Sequence, residues 1–525
     1  MRKVNSRMEN RSAADLDLTE WEDGTGSVPV PRVSWRKAEW CILAAAVLAA
    51  GCYFFAHFPY AFTVRHHLPG IGLTLSHCVL TLAFLFAARA KKRLDIRRNC
   101  GGAFMLACSV LISVCYGRFA NDSLRLMNLP VLLLTTVCAM FSLAGAAPFP
   151  ALSARGLKLC IKQVIPSCFR HFLFPPRAAK CAAAEKNKQS VRHILAGLLI
   201  GMPIILLALF LLSSADAVFD SVVLRSLESV GRLDFGSVFR ALLTVFVSLC
   251  LFSLVYSAVS RPFEADERKS PRAANATLIT ILLMLGTVYA VFAYIQFSYL
   301  FFGAQSKIQA LGYAEYARSG FFQLVALAVL TLCLIIPFLS LCGGNRTVRA
   351  LCAVITFLTG VIDYSAFFRM RLYIQAYGMS VLRLITLWGM LMILCALIAC
   401  AIKCLKPEAR ICPVLTVTAL CTWIALNFAN VDRVVTAYQV RAFNNGAITR
   451  LDTSYFANLS PDVLPALAEI SDGDVRRDAV DSVSKALSAR YPVWYDWSLS
   501  WTGCGLTAGT DENGVAATGA SAPDQ

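Results

Sequence analysis

VIDYSAFFRMRLYIQAYGMSVLR, residues Val361–Arg383, sets one acid, Asp363, inside a run otherwise apolar enough to cross a membrane. Three arginines follow, Arg369, Arg371 and Arg383, with an aromatic turn from Tyr373 to Gly378 between them. An ionisable group in or beside a hydrocarbon layer is costly, so it usually has partners or a function. The stretch poses a question for the whole chain: whether the rest is a membrane scaffold, and what that scaffold sets beside Asp363.

The chain has 525 residues, 57% hydrophobic and 15% charged, with a mean hydropathy of +0.61. A soluble chain would carry about 25% charged residues. Repeated apolar runs of about 20 residues account for the deficit, and such runs are transmembrane candidates. The expected fold is all-α: a polytopic transmembrane helix bundle of about 11 spans with a small α-helical extracytoplasmic C-terminal region. Spans are expected at about 39–57, 70–88, 101–117 and 127–147, then at 193–214, 237–259, 276–302, 320–342, 350–369, 381–402 and 412–428.

This divides the chain into a disordered cytoplasmic arm (1–38), a four-span N-terminal bundle (39–147), a basic cytoplasmic linker (148–192) and a seven-span core (193–428). The linker carries Pro148, Pro150, Pro166, Pro175 and Pro176 as breakers. Its segment Leu157–Phe174 reads as an interfacial amphipathic helix with Lys158, Lys162 and Arg170 at the headgroups. No cleavable signal peptide is visible ahead of the first run.

Sidedness follows from the basic residues. With the N-terminus cytoplasmic, the inner segments hold 31 Lys/Arg and the short outer loops 11. The positive-inside rule therefore favours that orientation, and an odd number of spans puts the C-terminus outside. The net charge of +17 sits in these short connectors rather than on a soluble face, as an orientation signal and anionic headgroups at the cytoplasmic face require. No zinc-finger spacing or groove-entering basic helix is present, so nucleic acid is not expected.

From Asp432 onward the material changes: acids outnumber bases and no run could span a bilayer. Ser460-Pro461-Asp462 is a helix start, with a hydroxyl cap, proline at the first position and an acid in the first turn. The helix it opens puts Val463, Leu464, Leu467 and Ile470 on one face, and a second, Asp474–Arg490, repeats Val475, Ala479, Val483 and Leu487 at near-helical spacing. Residues 429–502 are expected to form a helical module packing on the membrane domain or on an envelope protein partner, and 503–525 a disordered tail.

The usual catalytic constellations are absent: no Gly-x-Ser-x-Gly, His-Glu-x-x-His or Walker loop occurs. The 20 cysteines lie mostly inside apolar runs, with no Cys-x-x-Cys, and read as packing residues. The six histidines are scattered, so no metal or cofactor is expected. The polar residues that remain gather at one predicted depth. Ser213-Ser214-Ala215-Asp216 closes the fifth span; Tyr289, Gln296 and Tyr299 mark the seventh, and Glu315 precedes the eighth. Asn427, Asp432 and Arg433 end the last. With Asp363, Arg369, Arg371, Tyr377 and Arg383 they are expected to line an outward-facing polar vestibule, lidded by the C-terminal module. As span-end residues they read equally as interfacial anchors and caps.

Four ordered strings carry a resemblance: SSADAVF (Ser213–Phe219), YAEYARSGFF (Tyr313–Phe322), RLYIQAYGMSVLR (Arg371–Arg383) and NVDRVV…LDTSYFANLSPDVLPAL (Asn430–Leu467). From about residue 195 to 470 the chain resembles the bacterial membrane proteins of domains of unknown function 4153 and 4173. The resemblance implies a bacterial inner-membrane protein with a multi-helix core, and no reaction or substrate. The first functional expectation is a non-catalytic envelope sensor or scaffold. The second is a transporter or lipid-handling protein that binds an anionic group through Asp363 and nearby arginines. The third, a membrane transferase of envelope polymers, is weakened because the first outer loop offers Arg65, His66 and His67 but no acid.

Overall fold

The computed structural model describes residues 37–51, 70–96, 99–176, 235–260, 263, 275–302, 321–342, 344–448, 450–488, 497–502, 506–510 and 516–520. The expected span at 193–214 lies outside these residues, as does the part of the expected N-terminal arm up to residue 36. The long helices are α1 (Lys37–Ala50), α2 (Ile71–Ala90), α3 (Cys100–Arg118), α4 (Asp122–Leu143), α5 (Ala154–Arg170) and α6 (Phe235–Ser260). They continue with α7 (Asn275–Phe302), α8 (Phe321–Leu341), α9 (Arg346–Tyr377), α10 (Val381–Leu405), α11 (Ile411–Phe428) and α12 (Val431–Asn444). Among the described residues nine helices, α2–α4 and α6–α11, are long and apolar enough to cross a membrane.

Two cores hold them. The first buries Ile42, Phe84, Met105, Met140 and Phe141 of α1–α4 with Phe252, Val255 and Val259 of α6. Thus α6, which lies in the 193–428 stretch by sequence, packs on α1 and α5 of the first bundle. The second core joins α7, α8, α9 and α10 through Leu282, Ile335, Ile355, Ile362 and Met390. Between them α11 leans on both α3 and α10, and a bridging cluster of Tyr116, Leu132, Ile385, Trp423 and Val435 seals the seam.

Helix α9 differs from its expected extent. It is 32 residues long and runs eight residues past the expected span end, through Arg371, Tyr373 and Tyr377. Nothing in RMRLYIQAY breaks a helix. It stops at Gly378, whose φ of 76° belongs to the left-handed region that glycine enters without a Cβ clash. Asp363 therefore sits near the middle of the helix, about 21 Å along the axis from Tyr377.

The chain after α11 folds into a compact module. α12 is amphipathic and turns Val431, Val435 and Val440 inward. Short turns α13 (Thr453–Phe456), η1 (Pro461–Val463) and α14 (Leu464–Leu467) follow, then α15 (Gly473–Ser488) and η2 (Leu499–Trp501). Phe456, Val463, Leu467, Ile470, Ala479, Val483 and Leu487 close its core. Full burial of each large aliphatic or aromatic side chain contributes roughly 1.5–3 kcal/mol. The expected helix at Ser460 proves to be one 3-10 turn running into one α turn. Within the stretch expected to lack structure, Leu506–Thr510 and Ala516–Ala520 pair as an antiparallel hairpin, β1–β2.

The two ends of the bundle are unlike. At one end the module meets the helices: the Ile71 N–H donates to the Trp497 carbonyl at 2.9 Å, and Ser500 Oγ lies 3.1 Å from the Arg118 carbonyl oxygen. At the other end lie the basic connectors. There Lys91 Nζ meets Glu39 Oε1 at 3.3 Å, and the Phe263 N–H donates to the Ala146 carbonyl at 2.8 Å. Amphipathic α5 is held at this second end. Its cap is Ser153, and a Cβ on Gly156 would come within 2.2 Å of the Pro150 carbonyl oxygen, so only glycine fits. Ser253 of α6 pins its last turn, donating to the Ser167 carbonyl at 2.7 Å and accepting from the His171 N–H at 2.8 Å.

Candidate functional site

The polar side chains that the fold brings together lie where the module meets the bundle. Asn121 caps α4, accepting from the Leu124 N–H at 2.8 Å. Its amide donates to Asp432 Oδ1 at 2.5 Å, across 311 residues of chain. Asp432 Oδ2 accepts from the Ser460 N–H at 3.1 Å. The acid is 1% exposed and sits in the first turn of α12, where a helix N-terminus favours negative charge. Burial nevertheless pushes its carboxyl above the usual range, and the bonds from Ser460 and Asn121 pull the other way. Asp462 lies close by, its Oδ2 accepting from the hydroxyls of Ser460 and Ser500.

Two turns deeper along α4 a second set ties α4 to α11. Asn128 donates to Asn427 Oδ1 at 2.6 Å and accepts from Trp423 Nε1 at 2.7 Å, while the Asn427 amide donates to the Trp423 carbonyl at 2.9 Å. All three side chains are buried. Buried amides cost free energy unless paired, and here each finds its complement. Arg125 completes the corner. Its guanidinium donates to the carbonyls of Phe119 and Tyr116, both at 3.0 Å, at the C-terminal end of α3 where a cation suits the helix dipole. A cavity of about 10 Å³ between Asn121, Arg125, Asn128 and Asn427 has room for about one water.

A third contact secures the α9–α10 turn. Gln439 of α12 donates to the Met379 carbonyl at 2.5 Å, and the Tyr455 hydroxyl accepts from the Val381 N–H at 3.0 Å. Arg383 folds back on the turn, donating to the carbonyls of Tyr377 and Gly378 with its guanidinium 4.2 Å from the Tyr373 ring centre. Such a cation over an aromatic face contributes about 0.5–2 kcal/mol.

The residues expected in one vestibule are distributed as follows. Asn427 and Asp432 lie in the buried junction, and Arg383 and Tyr377 at the adjoining turn. Arg433 is exposed beside them. Arg369 and Arg371 lie on α9, Arg371 exposed, with Asp363 deeper in the second core. Asp216 and Glu315 fall outside the described residues, and the side chains of Gln296 and Tyr299 are likewise outside them. Sequence reasoning missed Asn121, Asn128 and Trp423, and read Ser460 as a helix cap rather than as a partner of Asp432. The available signal was an asparagine just before an acid-led helix start at Asn121-Asp122, and one asparagine inside each of two apolar runs. Among the described residues no group of three His, Cys, Asp or Glu could hold a metal ion.

The fold and the junction define a class: a helical bundle with many membrane-type helices and a small C-terminal module locked to one end. The chain belongs to the family described as Domain of unknown function (DUF4153), whose model matches residues 106–470. That match begins inside α3, earlier than the resemblance at 195, and so takes in Asn121, Asn128 and the α3–α4 corner. No curated protein and no solved structure matches the chain.

Proposed function

We propose that this is a multi-pass protein of a bacterial inner membrane, with its basic connectors in the cytoplasm and its module outside, acting as a non-catalytic envelope sensor or scaffold. The observation that carries this reading is the Asn121–Asp432–Ser460 bond set. Through it a water-facing module grips a corner of the first bundle, while Gln439 and Tyr455 grip the α9–α10 turn of the second. A partner that moves the module would shift both bundles together.

At the opposite end α5 suits a lipid surface. Ile161, Ile165 and Phe169 are exposed on one sector, and Lys158 and Lys162 are exposed on the sector beside it. Apolar side chains at the acyl boundary beside cations at the headgroups fit anionic lipid. An envelope protein is the partner proposed for the module. The transport or lipid-handling reading is the second choice, because Arg383 is engaged by its own turn rather than held out for an anion.

Two measurements test the first reading. A reporter active only outside the cytoplasm, fused after residue 502, should be active; a cytoplasmic signal would refute the sidedness. Asn121→Ala, made at normal abundance, should lose whatever envelope-stress phenotype deletion of the chain produces. Full function in that variant would remove the junction from the mechanism.

A further inference from the structure

Helix α9 buries a stripe of Val348, Cys352, Ile355, Ile362, Ala366 and Met370 against α7, α8 and α10. Four buried polar residues lie on this helix, Thr356, Thr359, Asp363 and Ser365. Asp363 is 5% exposed, and its Oδ1 is buried without a hydrogen-bond partner. Thr359, one turn earlier on the same face, gives its hydroxyl proton to the Ile355 carbonyl at 2.7 Å, which leaves its oxygen free to accept.

The hydroxyls continue on the neighbouring helices. α8 and α9 are antiparallel across the turn at 342–345, so Thr331, ten residues from the end of α8, is level with Thr356, ten residues into α9. Thr331 Oγ1 and the Tyr289 hydroxyl of α7 are 2.7 Å apart, and both residues are buried. Tyr289, Thr331, Thr356 and Thr359 are thus buried hydroxyls of this core, and Asp363 lies about 10 Å along the axis from the level of Thr331.

Charge around the acid is sparse. Helices α7 and α8 carry no Asp, Glu, His, Lys or Arg; their titratable groups are Tyr289, Tyr294, Tyr299 and Cys333. The cations of α10, Arg383 and Lys403, stand at its two ends, and its thiols, Cys395, Cys400 and Cys404, lie in its second half. On α9 itself Arg369 is six residues on and about a third of a turn off the Asp363 face, Arg371 is exposed, and Arg349 is about 21 Å away. Its remaining titratable groups are Cys352, Tyr364, Tyr373, Tyr377 and Arg346. No ion pair reaches Asp363 among the described residues.

We infer that Asp363 is a proton-binding site. A bare carboxylate without donors in an apolar core takes up a proton rather than stay charged. The proton adds to a carboxylate oxygen and leaves a neutral carboxyl in the apolar core. The inference goes beyond the scaffold reading and stands independently of it, since the junction at the module end does not involve α9's midpoint.

The test is covalent labelling of the full-length protein in lipid nanodiscs with dicyclohexylcarbodiimide, which adds the O–H of a protonated carboxyl across its C=N bond. Asp452 serves as the reference: it is exposed, and the Ser454 hydroxyl bound to it holds its carboxyl below the usual range. At neutral pH Asp363 should be labelled several-fold more than Asp452, and that labelling should fade as the pH is made alkaline. Asp363→Asn should abolish the adduct; should that variant not fold, peptide mapping of the wild-type adduct makes the same assignment. Labelling of Asp363 no greater than that of Asp452, or labelling that ignores pH, would overturn the proposal.

Discussion

Two of the places where the described residues bury polar side chains between helices are built in opposite ways. At the module end, Asn121, Asn128, Asn427, Trp423 and Asp432 each meet a donor or acceptor, and the bonds run between elements far apart in sequence. In the second bundle Asp363 is buried as deeply, yet Oδ1 has no partner. Matched groups of the first kind specify an arrangement, because any other packing would orphan them. An unmatched acid specifies nothing and costs stability, so its retention is better explained by what it binds. Partner count, rather than depth, separates the structural polar site from the chemical one.

The sharpest way to break that contrast is at Asn128. Asn128→Ala removes the acceptor of Trp423 Nε1 and the donor to Asn427 together, leaving two buried groups unpaired. With about 1–3 kcal/mol for each orphan, a loss of about 3 kcal/mol is expected in reversible unfolding of the detergent-solubilised protein. A loss below about 1 kcal/mol would mean that water fills the gap and the junction is soft.

Asp432 gives the next effect, and its sign is unusual for a hydrogen-bonded acid. Burial leaves its folded carboxyl above the unfolded value of about 3.9, so the folded state holds its proton more tightly. Its contribution to stability is greatest below the unfolded value and is lost as pH rises through the raised folded one. Acidification should therefore tighten the module on the bundle in wild type relative to Asp432→Asn, which lacks that proton site. Hydrogen exchange of the 460–470 segment across a pH series measures the difference. A wild type that loosens on acidification faster than the variant would reverse the sign.

Smaller still is Arg383→Lys. The ammonium keeps the charge but cannot bond both turn carbonyls while lying flat on Tyr373. About 1 kcal/mol should go, with faster exchange of the amides at 377–381. Unchanged exchange there would show that Gln439 and Tyr455 hold the turn unaided.

How much of this was legible beforehand depends on the range of the interaction. Hydrophobic runs are local, so the ends of α3, α7, α8, α10 and α11 fell within a few residues of their expected places. Likewise the Ala479, Val483, Leu487 spacing foretold the buried face of α15. What a run of apolar residues does not encode is where the helix outlasts it. α9 continues through Arg371 because the exposed end of a helix has no need to be apolar. The junction was half legible: Asn427 and Asp432 stood out as polar residues at a span end. Their partners Asn121 and Asn128 lie some 300 residues earlier, and no local pattern in one sequence announces a pairing at that distance. Asp363 was conspicuous for the same local reason, an acid in an apolar run, but its lack of a partner is a property of three other helices.

The smallest expected effect is the one that sharpens the contrast most. Asp363→Asn replaces a neutral carboxylic acid with a neutral amide of nearly the same shape, so at neutral pH its unfolding free energy should lie within about 0.5 kcal/mol of wild type. The same exchange at a partnered, ionised acid would strip a charge from donors built to hold it, at a cost of about 3 kcal/mol or more. A small change in Asp363→Asn beside a large one in Asn128→Ala would separate a group kept for binding from a group kept for architecture. A large loss at Asp363 would instead assign the acid a structural charge partner, and the two buried sites would then be one kind of thing.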